Sequence, residues 1–138
     1  MGADPGGAVP SYKLYMMIHF AGIVGGCMTI AGLAGHAVFG GEKASAGSAR
    51  KRLLAAHGVF LFLVLLGGMG AGTRTGAISS EHGFASWIWI KLGIWLLVGG
   101  LAALPYRLGP KAGWLFAAVP ILIAVAAWTA GGFQPLMR

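Results

Sequence analysis

The sequence predicts an all-α fold, an integral-membrane up-down bundle of four helices in a single domain covering residues 1–138. Three observations predict it. Charged residues are only 9% of the 138 residues, against about 25% in an ordinary soluble domain. Hydrophobic residues reach 57%, with 25 glycines besides, and mean hydropathy is +0.79. The few charges are also spaced to match a bilayer: 28 uncharged residues separate Lys13 from Glu42, 21 separate Arg52 from Arg74, and 26 separate Lys111 from Arg138. A hydrocarbon core about 30 Å thick takes about 20 helical residues. The glycines follow no Gly-X-Y period, which excludes a collagen-like chain, and the apolar content excludes disorder.

Helix one is expected over about residues 12–39, an apolar run closed by Gly40-Gly41 and the polar loop after them. The Arg50-Lys51-Arg52 cluster opens helix two, 51–73, and Thr73 to Gly83 forms the second loop. Helix three, 84–104, contains Lys91. A lysine about ten residues or fewer from a helix end reaches the interface by snorkelling. Pro105 to Gly113 forms loop three. Helix four, 112–131, ends at Gly131-Gly132 and Pro135 and holds Pro120, where a kink is expected because the Phe116 carbonyl loses its partner. Short connections make sequential helices antiparallel neighbours. Asp4 and two early prolines replace the basic start of a cleavable signal peptide, so helix one reads as an uncleaved insertion signal.

The positive charges set an orientation. Lys43, Arg50, Lys51, Arg52, Arg107 and Lys111 lie on the face of loops one and three. Lys13, Arg74, Lys91 and Arg138 lie on the other. Cytoplasmic loops carry the excess of Lys and Arg. Loops one and three are therefore placed in the cytoplasm, with both termini outside. This reading accounts for the net charge of +7 without a nucleic-acid partner. The lone Cys27 excludes an intrachain disulfide and a cysteine-based zinc cluster. Small residues four apart, Gly22/Gly26, Ala31/Gly35 and Gly68/Gly72, predict close helix contacts. Besides the lipid bilayer, they suit membrane-protein partners or a homo-oligomer formed through glycine-rich faces.

Polar groups inside a bilayer are costly, which makes each one a candidate site. Here they are His19, His36, His57 and Lys91. With no Asp or Glu in a span, carboxylate proton relays and carboxylate cation transport are disfavoured. No Ser-His-Asp set, paired carboxylates, phosphate loop or zinc-protease motif occurs. The glycine run 67–72 follows no strand and is not a dinucleotide fingerprint. No catalytic residue is assigned, and whether the chain is an enzyme stays open.

His36 and His57 are expected about 6 and 10 Å inside antiparallel helices one and two, at similar depth. Such a cross-helix pair would suit a bis-histidine haem b or another metal, with Arg50 and Arg52 meeting the propionates. The competing reading bonds each imidazole to a neighbouring carbonyl. His19 and Lys91 form a second pair near the outer side, where the lysine could bind a propionate, a quinone oxygen or another anion. Trp87, Lys91 and Trp95 recur at steps of four, so a cation–π contact competes for the lysine. Met16, Met17 and His19, with Cys27 and Met28 deeper, raise Cu(I), although adjacent methionines on a helix point in different directions.

The stretch Tyr12-Lys13-Leu14-Tyr15-Met16-Met17-Ile18-His19-Phe20-Ala21-Gly22, with Gly25 and Gly26 after it, resembles the first helix of a loose superfamily of small bacterial membrane bundles. That group includes copper-resistance protein D (CopD), the SirB-like proteins and the haem-containing membrane protoporphyrinogen oxidase (HemJ). Trp87-Ile88-Trp89-Ile90-Lys91-Leu92 is similar to their third helix. The resemblance implies a haem-ligating or metal-associated role for His19, with Lys91 as its polar partner. It does not reach His36 or His57, and porphyrinogen oxidation is not carried over. The expectation is a small multi-pass protein that binds b-type haem or takes part in redox chemistry. Its ligands would be His36 with His57, or His19. The alternatives are a cofactor-free structural subunit of a larger complex, or a protein that handles copper or a small solute.

Overall fold

The computed structural model describes residues 10–40 and 47–133, with side chains as far as Trp128. The fold is mostly helical. Its elements are α1 (Tyr12–Phe39), α2 (Ser48–Arg74), β1 (Ile78–Ser79), β2 (Gly83–Phe84), α3 (Ser86–Leu101), the short α4 (Pro105–Leu108), a 3-10 segment (Gly109–Trp114) and α5 (Leu115–Phe133). Among the described residues, three stretches are long and apolar enough to cross a membrane: Tyr12–Phe39, Ser48–Arg74 and Pro105–Trp128. With 16 residues, α3 spans about 24 Å, short of a full hydrocarbon core.

Local chemistry explains the boundaries. The Ser11 hydroxyl caps α1 by accepting the Leu14 N–H at 3.3 Å, satisfying one of the orphan donors of the first turn. At the end of α2, the Thr75 N–H and hydroxyl both donate to the Ala71 carbonyl. Gly76, at φ +74°, then turns the chain through a backbone region that side chains rarely tolerate. Loop two holds a small antiparallel ribbon, with Ile78 opposite Phe84, so α3 begins at Ser86 instead of residue 84. It ends three residues before the expected 104. Pro105 has no N–H to continue the ladder, and the Leu101 carbonyl takes the Leu104 N–H at 3.1 Å instead. Gly109, at φ +54°, and Pro110 divide the next stretch into short turns. The last α-helix consequently starts at Leu115 rather than 112, and it runs on through Pro120.

Helix α1 packs along its length against α2. The main core joins α1 to α3 and α5, through Ile30 and Ala34, Val98 and Leu101, and Leu115 and Val119, together with Ala112 of the 3-10 segment. By contrast α2 and α3 touch little, although the Trp95 indole N–H reaches across to the Leu61 carbonyl at 2.9 Å. Large apolar side chains such as Val59, Phe62, Leu96 and Trp128 face outward, a surface suited to contact with lipid.

One buried polar contact ties α1 to α2. The Thr29 hydroxyl donates to the Gly26 carbonyl at 2.8 Å and lies 2.9 Å from His57 Nδ1. A hydroxyl has one proton, so Nδ1 is the donor in the second bond. His57 is buried, 3% exposed. Its Nε2 has no partner in hydrogen-bonding geometry among the described residues, although the Val98 carbonyl is near the ring. Thr29→Val keeps the shape and removes the acceptor. We expect it to cost about 1–2 kcal/mol, read as lowered thermal stability in detergent micelles.

Candidate functional site

Antiparallel packing brings the start of α1, the end of α2 and the start of α3 to one end of the molecule. A half-open cavity of about 330 Å³ lies among them. From α1 it is lined by Tyr12, Met16 and His19, which share a face because they recur at steps of four and three. Trp87, Lys91 and Trp95, at steps of four, line it from α3. Gly68, Met69 and Thr75 contribute from the end of α2. The walls are largely apolar, and Lys91 is the one charged residue among the described residues that line the cavity.

The placement of His19 depends on glycines. A side chain at Gly67 would set its Cβ 2.5 Å from the His19 backbone nitrogen and 2.7 Å from the Tyr15 carbonyl oxygen, so only glycine lets α1 and α2 come this close. Gly68 leaves room for the imidazole: a Cβ there would lie 3.1 Å from His19 Cε1. This close approach puts His19 Nδ1 2.7 Å from the Val64 carbonyl oxygen. A carbonyl can only accept, so Nδ1 carries the proton in the neutral ring and Nε2 keeps the lone pair. Lys91 Nζ sits 4.9 Å above the Trp87 ring, so the expected cation–π contact and the shared cavity with His19 occur together.

The other expected site residues lie elsewhere. His36 Nδ1 is 2.8 Å from the Tyr106 hydroxyl, and the two rings meet edge to face at 5.8 Å. His57 is instead level with Thr29, which is seven residues and about 10 Å along α1 from His36. The two imidazoles therefore do not form the expected cross-helix pair, because the register of the α1–α2 contact sets them about two turns apart. Arg50 Cζ stacks 4.8 Å over the Tyr106 ring. Arg50 and Arg52 open α2, whereas Gly68 and Met69 of the cavity lie near its other end, about 25 Å away along the helix. Their expected role as propionate partners does not apply to a ligand on His19. Met17 and Met28 point outward, each 68% exposed. Among the described residues, no three His, Cys, Asp or Glu side chains converge to hold a metal. Loop-two His82 is exposed, its backbone N–H bonded to Ser79 Oγ at 3.0 Å.

Sequence reasoning missed Met69 and Tyr106. Met69 lies in a glycine run whose helical facing could have placed it four residues from Leu65 and beside Gly68. No local signal places Tyr106 next to His36, because 70 residues separate them. The chain has no significant match among protein-family models, curated proteins or solved structures.

Proposed function

We propose that the chain is a multi-pass membrane protein whose cavity between α1, α2 and α3 holds haem b for a redox role. It would sit in a bacterial inner membrane with its termini and this cavity toward the periplasm. The observation that carries this reading is the His19–Val64 hydrogen bond. Metal-ligating histidines typically donate one ring N–H to a fixed acceptor, which sets the tautomer and raises the basicity of the other nitrogen. His19 has that arrangement, on a residue that lines a largely apolar cavity with one cation.

The residues present fit the group in kind. His19 Nε2 would be the iron ligand, and the Lys91 ammonium would meet a propionate. The thioether of Met16 or Met69 is available as a second, softer ligand. At about 330 Å³, the cavity is near the lower limit of ligand sites, so the cofactor would be enclosed only in part. Bound haem supplies one-electron chemistry. The chain's contribution is to fix the imidazole, neutralise an acidic edge, and keep water away with Trp87, Trp95 and Ile88.

A second reading is favoured by one observation. Met69 joins Met16 and His19 on the cavity, giving two thioethers and an imidazole, a soft set suited to Cu(I). Purification in detergent from cells supplied with both haem and copper separates the readings. Stoichiometric haem by the pyridine haemochrome assay supports haem b. Stoichiometric copper by elemental analysis, in a colourless protein, supports the second. A protein with neither would be a cofactor-free accessory subunit, and both cofactor readings would fall.

A further inference from the structure

We propose that His57 is a proton-operated latch on the seam between α2 and α3, setting how firmly the inner wall of the cavity is held. Three helices meet at this ring. Its Nδ1 donates to the Thr29 hydroxyl oxygen of α1, whose own proton is committed to the Gly26 carbonyl. Its Nε2 is buried without a hydrogen-bond partner among the described residues, near the Val98 carbonyl of α3. Val98 lies in the last turn of α3, where carbonyls lose their in-helix donors. The Ala102 N–H, which would otherwise continue the ladder to Val98, bonds to the Gly100 carbonyl instead. A lone pair on Nε2 thus lies beside a carbonyl oxygen whose own donor is turned away. One added proton answers both. As an imidazolium, His57 donates through both nitrogens, to Thr29 and to Val98, and joins α1, α2 and α3.

The latch sits directly behind the cavity. Leu61 follows His57 by four residues and Trp95 precedes Val98 by three. The Trp95–Leu61 hydrogen bond is therefore the neighbouring rung of antiparallel α2 and α3, one turn away. The next turn brings Val64 and Leu65 of α2 and Lys91 and Leu92 of α3, which line the cavity together with Trp95 itself. Elsewhere α2 and α3 touch little, so a charge-assisted bond at His57 strengthens a seam with few other ties. The other titratable groups stand apart from the ring. On α1, Cys27 packs toward the main core, and His19 and His36 lie ten and seven residues from Thr29. On α3, Lys91 lies seven residues before Val98, and on α2, Arg52 lies five before His57. Residues 115–128 of α5 carry no charged side chain. Burial opposes charge on the ring, and the two acceptors favour it. The latch rests on the reading of the cavity as a binding site, but its operation requires no ligand.

The test uses the full-length protein in detergent micelles without added cofactor. Nitrogen NMR of labelled histidine reads the ring, and hydrogen exchange of the Trp95 indole N–H reads the seam. At about pH 8 the wild-type ring should carry its proton on Nδ1 alone, and at about pH 5 on both nitrogens. Over the same interval, protection of the Trp95 indole N–H relative to His57→Leu at the same pH should rise about tenfold, the effect of one hydrogen bond from a charged donor. His57→Gln offers a donor to Val98 at every pH, so its protection should not respond to acid; it replaces the leucine variant as the reference if that variant fails to fold. The proposal is overturned if wild type and the variant share one pH dependence, or if the ring stays neutral in acid. It is equally overturned if Nε2 already carries the proton at about pH 8, with the Thr29 hydroxyl turned to Nδ1. A protein without haem that still tightens in acid would keep the latch and lose the haem reading, and a haem protein with an unresponsive seam would do the reverse.

Discussion

Gly67→Ala is expected to cost about 3 kcal/mol of stability, the upper part of the range for overpacking. The added Cβ would meet backbone atoms, the His19 nitrogen and the Tyr15 carbonyl oxygen, and backbone cannot rotate aside as a side chain can. Gly22→Ala should behave similarly from the other helix, with its Cβ 2.6 Å from the Val64 nitrogen and 2.9 Å from the Phe60 carbonyl oxygen. At Gly25 and Gly70 the obstruction is a ring, of Phe60 and Tyr15 respectively, which can swing away at lower cost. Gly58→Ala has nothing within 4 Å and should be neutral or stabilising by about 0.5–1 kcal/mol through helix propensity. Unfolding of alanine variants at these five glycines in detergent micelles gives the ranking. Gly67→Ala also displaces the backbone that carries His19, so haem binding should weaken with stability.

His19→Ala is expected to lower haem affinity by at least about a hundredfold, a loss of about 2.8 kcal/mol or more. The variant leaves the Val64 carbonyl and the cavity walls in place, so added imidazole should restore much of the binding. A merely structural role for His19 would give no such rescue. Lys91→Met should weaken haem binding about tenfold, about 1.4 kcal/mol, without changing the axial-ligand spectrum, because the ammonium meets the edge of the cofactor and not its iron. Titration of haem into the purified proteins, followed by absorbance, measures both effects.

The helices were legible in the sequence because the charges are confined to the ends of long apolar runs, the pattern that a bilayer would require. The run after Lys13 and the run after Arg52 gave α1 and α2 within a few residues. The third and fourth helices were less legible. Their ends depend on where Pro105 and Pro110 withdraw donors and where Gly109 takes a positive φ, details that periodicity does not carry. The facing of His19 and Lys91 followed from antiparallel order and depth alone, and both line one cavity. The His36–His57 pairing failed because depth counted from helix ends ignores register. Close contact through Gly22 and Gly67 fixes that register, bringing His57 to Thr29 and leaving His36 to Tyr106. Nothing near residue 36 or 57 announces either partner.

The central claim is that chemistry resides at the His19 end of the molecule. The most direct test is the reduced-minus-oxidised difference spectrum of the protein from haem-supplied cells, compared across His19→Ala, His36→Ala and His57→Ala. The account predicts a b-type band in wild type that survives in His36→Ala and His57→Ala and vanishes in His19→Ala. A band that persists without His19 but disappears when His36 or His57 is replaced would contradict it.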